Sequence, residues 1–131
     1  MTQKDKELLL KDLAARLPYN TKVFFSIIEE DEPVELSLSV IRCLESIPLG
    51  QNDIVIKPYL RPMSSMTEAE RMEFEFLGWR VDELDFNNPW TPNGEIEYVL
   101  KGINWLNAHH FDYRGLIERG LALEAPEGMY K

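Results

Sequence analysis

The stretch KVFFSIIEEDEPVELSLSVIRCL, residues 22–44, decides the predicted fold. Its first part, residues 22–28, is rich in the β-branched and aromatic residues that strands favour. In its last part, residues 34–44, apolar side chains alternate with polar ones from Val34 to Val40, which is the period of a strand with one face in water. The stretch therefore predicts a β-hairpin with an acidic tip.

Sequence on either side of the hairpin adds one helix and one strand. Before the hairpin, four apolar residues share one face at helical spacing, and Thr2 can cap the N-terminus of the helix. These four are Leu10, Leu13, Ala14 and Leu17. After the hairpin, DIVIK at residues 53–57 predicts a third strand, which Pro58 ends because proline cannot donate a ladder hydrogen bond.

Two further helices complete the predicted fold. Thr67 and Glu70 form a capping box at the start of a helix that reaches about Leu77, and the next helix spans roughly residues 95–108. We therefore predict one α+β domain over residues 1–131, in the order α-β-β-β-α-α. About three helices pack against a small three-stranded antiparallel sheet, and the sequence leaves open whether that sheet is flat or curls into a half-barrel.

Composition predicts the compartment and excludes several classes of protein. The apolar runs are far shorter than the ~20 residues of a membrane-spanning helix, and the N-terminal MTQKDKE has no apolar signal region. The single cysteine, Cys43, cannot form an internal disulfide bond. We expect a cytoplasmic protein without a membrane segment, and no motif in the sequence predicts a cofactor.

The net charge of −9 is unevenly distributed. Residues 29–35 hold five acids and no base, and residues 67–87 hold seven acids against two arginines. This pattern argues against direct nucleic-acid binding, which needs a basic face. Three interpretations are open: solvated segments that maintain solubility, an acidic surface that docks a protein partner with a basic surface, or a mimic of DNA that inhibits a nucleic-acid-binding protein.

The predicted contact surfaces for a protein partner are residues 29–35 and the loop 82–94. Within them, the candidate binding residues are Glu29, Glu30, Asp31, Glu32 and Trp90. Trp90 is included because its loop is rich in proline and asparagine, and tryptophans in exposed loops often anchor partners.

The segment WLNAHHFDYRGLIERGL, residues 105–121, carries the candidate chemistry in His109, His110 and Asp112. An enzyme that uses a metal or a histidine through this cluster is the alternative function. No metal site is predicted, because zinc needs three or four converging ligands and adjacent helical side chains point ~100° apart. Each group also has a structural interpretation at a helix end, in the core or in a turn, so the segment is predicted to be a C-terminal clasp.

Two arginines have alternative roles. Arg61 and Arg114 have the planar guanidinium that binds a phosphate or carboxylate through two hydrogen bonds. The structural interpretation is that each arginine pairs with an acid of the chain, for example Asp112 or Glu118.

Two stretches, IKPYLRPMSSMT at residues 56–67 and WLNAHHFDYRGLIERGLALEAPEGMY at residues 105–130, carry a resemblance. Together with KDLAARLPY at residues 11–19, they resemble a group of short proteins encoded in gut Bacteroides genomes and prophages. The resemblance implies a bacterial or phage protein and assigns no activity, cofactor or catalytic residue. With the missing catalytic motifs, it favours a non-enzymatic binding or regulatory module.

Overall fold

The computed structural model describes residues 1–27, 32–49, 54–76 and 96–130, with side chains from residue 100 onwards in the last range. In these residues the helices are α1 (Gln3–Arg16), α2 (Leu38–Ser46), α3 (Glu68–Phe76) and α4 (Ile96–Ala108). The strands are β1 (Lys22–Phe25), β2 (Val34–Glu35), β3 (Ile56–Leu60) and β4 (Leu123–Glu124). None of these helices has the length and apolar composition of a membrane-spanning segment.

The predicted α+β class is confirmed, but the predicted sheet of three antiparallel strands is wrong. The described strands form one open, mixed sheet in the order β2-β1-β3-β4. β1 is antiparallel to β2 and β3, whereas β4 is parallel to β3. The order of elements is therefore α-β-β-α-β-α-α-β in place of α-β-β-β-α-α.

The largest error concerns residues 34–44, which change from strand to helix at Ser37. β2 has only two residues, and the Ser37 hydroxyl accepts a hydrogen bond from the N–H of Val40 as the N-cap of α2. From Val40 onwards, Val40, Ile41 and Leu44 are buried together on one helical face. The alternation of apolar and polar residues therefore did not reflect a strand. Ser37 is polar because it caps α2, and Leu38, which follows it, is 51% exposed in the first turn of that helix.

The third strand also differs from its prediction. β3 continues through Pro58, which lies opposite Val23 of β1. Proline removes only its own N–H from the ladder. The strand continues because Ile56, Pro58 and Leu60 place every second side chain in the core.

Among the described residues, two apolar clusters form the interior. The first lies between the sheet, α1 and α2, and it includes Leu9, Leu13, Val23, Leu44, Leu60 and Leu116. The second consists of Phe74, Trp105, Leu106 and Phe111, with Met63, Met66 and Tyr113 at its edge. Together they place α3 and α4 beside the end of the sheet at which residues 109–112 join β3.

The buried face of α1 is rotated from the predicted one: Leu13 is buried and Leu10 and Leu17 pack against the core as predicted, but the face also includes two charged residues. Ala14 is exposed, and the stripe that enters the interior is Leu9, Asp12, Leu13 and Arg16. Asp12 and Arg16 form an ion pair at 2.8 Å with both side chains fully buried. Buried charges are rare unless they are paired, so a reading of apolar positions alone misses this face.

Tyr130 closes the end of the sheet between β1 and β3. Beyond the Val23–Pro58 pair, the next residues in register are Lys22 and Tyr59. The Tyr130 hydroxyl accepts the N–H of Lys22 at 2.8 Å and donates to the carbonyl of Tyr59 at 2.7 Å. One phenol therefore bridges two backbone groups that would otherwise lack these partners.

Substitution of Tyr130 by Phe is expected to lower the free energy of unfolding by about 1–3 kcal/mol, because both bridged backbone groups lose the hydroxyl. Urea unfolding measures the change. Tyr19→Phe is the matched control, since no hydrogen bond of the Tyr19 hydroxyl occurs among the described residues. Equal stability of Y130F and Y19F would contradict the bridge.

Candidate functional site

The predicted acidic contact surface is only partly described. Glu29, Glu30 and Asp31 lie outside the described residues, as do Trp90 and the whole of the 82–94 loop. Glu32 is exposed, and Glu35 is exposed in the edge strand β2. The predicted contact role of these residues is thus left as a prediction.

His109 lies at the C-terminal end of α4 and contacts the helix itself. Its Nδ1 is 2.9 Å from the carbonyl oxygen of Trp105, and its ring stacks on the Trp105 indole with centroids 4.0 Å apart. A carbonyl can only accept, so Nδ1 carries the hydrogen and, in the neutral ring, Nε2 has the free lone pair.

His110 ends α4 in a Schellman motif. Its N–H bonds to the carbonyl of Asn107 at 3.1 Å, and the N–H of Phe111 bonds to the carbonyl of Leu106 at 2.9 Å. His110 itself has a φ of 64°, the left-handed conformation that glycine most often supplies at this position. A histidine there bears a backbone cost, so its side-chain contacts must compensate for it.

Those contacts are to Thr21 and Tyr130. The Nδ1 of His110 is 3.3 Å from the Thr21 hydroxyl, and its ring stacks on Tyr130 with centroids 3.7 Å apart. Burial, and after it the nearby charges of Arg16, His109 and Arg61, lower the pKa of His110 from 6.5 to about 4. The imidazole is therefore neutral at pH 7.

Asp112 has a different task from the two histidines. Its carboxylate accepts the N–H groups of Leu116 and Ile117, each at 2.9 Å. It thereby holds the turns of residues 113–120, which end at Gly120 with a φ of 75°. The described residues contain no group of three or more potential ligands placed to hold a metal ion.

Arg61 and Arg114 both pair with acids of the chain, although not with the predicted ones. Arg61 binds Glu70 through two hydrogen bonds of 2.6 and 2.7 Å, and its guanidinium lies 4.2 Å from the centroid of the Phe111 ring. This hydrogen bonding holds the pKa of Glu70 at about 2. Arg114 contacts the buried Asp12 at 3.4 Å.

A cleft of about 440 Å³ opens beside the two histidines. Its lining comes from the start of β1, the end of α4, the Arg61–Glu70 pair and the C-terminal residues. The lining residues are Tyr19, Asn20, Lys22, Arg61, Glu70, Ala108, His109, His110, Met129 and Tyr130. Asp112 is not among them, so the predicted cluster of His109, His110 and Asp112 is divided between the cleft and a turn.

Sequence reasoning missed Lys22, Thr21 and Tyr130 as parts of this site. The sequence pattern predicts Lys22 only as the first residue of a strand, and Tyr130 belongs to no periodic pattern. Their positions depend on pairing between segments more than 70 residues apart, such as Tyr59 with Tyr130. No local signal in the sequence reports such contacts.

Comparisons with protein-family models, with curated proteins and with solved structures found no match.

Stability is expected to fall with pH between about 6.5 and 4 because of His110. The pKa of His110 is about 4 in the folded protein, and its ordinary value, which applies to the unfolded chain, is 6.5. Between these pH values the unfolded chain binds a proton at His110 and the folded chain does not, so acid favours unfolding. The loss of unfolding free energy is on the order of 1–3 kcal/mol. Urea unfolding at a series of pH values measures it.

His110→Asn is the control, since asparagine also tolerates the left-handed backbone and does not titrate. This variant should lose the decline between about pH 6.5 and 4. It should keep the separate decline between about pH 4.5 and 2, where the low pKa of Glu70 acts. An unchanged slope above pH 4.5 in the variant would show that another group causes it.

Proposed function

We propose that the protein is a non-enzymatic binding module that contacts a basic surface of a partner protein through residues 29–35. The observation that carries the proposal is the exposure of the two acids of this segment that the structure describes, Glu32 and Glu35, of which Glu35 lies in the edge strand β2. β1 and β2 pair in antiparallel register, Lys22 with Glu35 and Val23 with Val34, and β2 is the edge strand of the sheet.

Charge supports this choice of surface. Glu32 and Glu35 are exposed, and with Glu29, Glu30 and Asp31 they give this short segment five acids and no base. An exposed cluster of one sign steers a partner of opposite sign and selects against others. Residues 82–94, with Trp90, complete the proposed contact surface.

The alternatives have less support. An enzyme built on His109, His110 and Asp112 would need these groups together, yet Asp112 accepts two backbone hydrogen bonds in a turn. A DNA mimic would need the acidic segments to lie side by side with roughly one charge per ~1.7 Å of axis. The two segments are residues 29–35 and 67–87, and the binding experiment below distinguishes DNA mimicry from another protein partner.

The test compares proteins captured from a bacterial lysate by the wild type and by the variant E29Q/E30Q/D31N/E32Q. We expect the variant to lose the specific partner, because four of the five charges that attract it are removed. Quantitative mass spectrometry measures the recovery. Adding duplex DNA to the wild-type capture separates the rivals, because DNA displaces the partner of a DNA mimic and leaves another protein partner bound.

The matched control neutralises four exposed acids elsewhere, Glu7, Glu45, Glu68 and Glu118, and changes the net charge by the same amount. It should retain the partner. Recovery that is unchanged in the hairpin variant, or equally reduced in both variants, would contradict the proposal.

A further inference from the structure

We propose that the cleft beside His109 and His110 binds a small oxyanion, a phosphate or carboxylate group, through Lys22. Nothing in this proposal depends on the acidic segment, because the cleft draws on other residues. Its volume of about 440 Å³ falls in the range of small-molecule sites.

Lys22 is the cation available to a ligand. In β1 the side chains of Val23 and Phe25 are buried in the core, so Lys22 belongs to the opposite face of the sheet, where it lines the cleft. Its cross-strand neighbour is Glu35, but Lys22 forms no ion pair with any residue of the described ranges. A lysine ammonium without a partner is a point charge suited to an oxyanion.

The carboxylate that lines the cleft is already neutralised. Glu70 receives both hydrogen bonds of the Arg61 fork, so this pair contributes no net charge. With Glu70 balanced by Arg61, Lys22 leaves the lining with a net positive charge. The positive charge of the cleft lining thus contrasts with the net charge of −9 of the whole chain.

A second cation lies behind the floor of the cleft. The side chain of Arg16 is fully buried, and its Nη1 has no hydrogen-bond partner within the described part of the chain. Its charge acts on the stacked rings of His110 and Tyr130. It lowers the pKa of His110, although burial has the larger effect, and it opposes the increase in the pKa of Tyr130 that burial causes. Asp12 pairs with Arg16 at 2.8 Å, so the positive charge available to an anion in the cleft is that of Lys22.

The groups at the mouth of the cleft can complete the coordination of an anion. Asn20 has a φ of 57° and an exposed side-chain amide, and Tyr19 precedes it with a phenol. Amide and hydroxyl groups donate hydrogen bonds to oxyanions. Because the Tyr130 hydroxyl bonds to the backbone of Lys22, the lysine side chain can be replaced without breaking that bridge.

The test is a titration with inorganic phosphate at pH 7 and constant ionic strength, followed by two-dimensional NMR of the backbone amides. We expect saturable shifts at Lys22, His109 and His110. Lys22→Gln should weaken binding about tenfold, as for the loss of one charge-assisted hydrogen bond. Lys11→Gln, at an exposed position of α1, is the matched control and should bind within about twofold of the wild type.

Two further arms complete the experiment. Acetate replaces phosphate in a parallel titration, and shifts of the same amides that depend on Lys22 identify a carboxylate as an accepted ligand. Lys22→Arg keeps the charge and should keep most of the affinity. The proposal is overturned by phosphate and acetate both leaving the cleft amides unshifted, by equal weakening in the Gln variants of Lys22 and Lys11, or by a loss in Lys22→Arg as large as in Lys22→Gln.

Discussion

The buried guanidinium of Arg16 is the interaction on which the rest of the structure depends. Its Nε binds Asp12 in the same helix at 2.8 Å, and its Nη2 donates to the carbonyl of Phe111 at 2.6 Å. Phe111 belongs to the second apolar cluster, whereas Leu9 and Leu13 on the same face of α1 belong to the first. One charged side chain therefore ties the two clusters together, at a desolvation cost that only good pairing offsets.

The cleft follows from this junction. The contact with the Phe111 carbonyl fixes residues 109–112, which also bond to β3 through the N–H and the carbonyl of Arg61 at 2.8 Å each. The left-handed turn at His110 then places its ring against Tyr130 and Thr21. The segment of residues 105–121, predicted as a C-terminal clasp, contacts the end of the sheet in this way, and His109 and His110 line the cleft as a result.

What the sequence predicts well is local. The predicted N-cap at Thr2 and the predicted capping box of Thr67 and Glu70 both form, because the partners lie three residues away in the chain. What it misses depends on distant pairing or on buried charge. β4 is a strand only because it pairs with β3, and the α1 face appears only when Asp12 and Arg16 are recognised as interior residues. Residues 34–40 predicted a strand because the N-cap Ser37 and the first helical residues after it also alternate between polar and apolar side chains.

The most direct test of the account is the unfolding free energy of Arg16→Met, measured by urea denaturation beside Arg114→Met. The account predicts a loss of about 3–5 kcal/mol for Arg16→Met, because Asp12 and the Phe111 carbonyl lose a fully buried partner. It predicts a smaller loss, about 1 kcal/mol, for Arg114→Met, whose side chain is partly exposed and lies 3.4 Å from Asp12. An Arg16→Met protein as stable as the wild type would contradict the central role of this guanidinium.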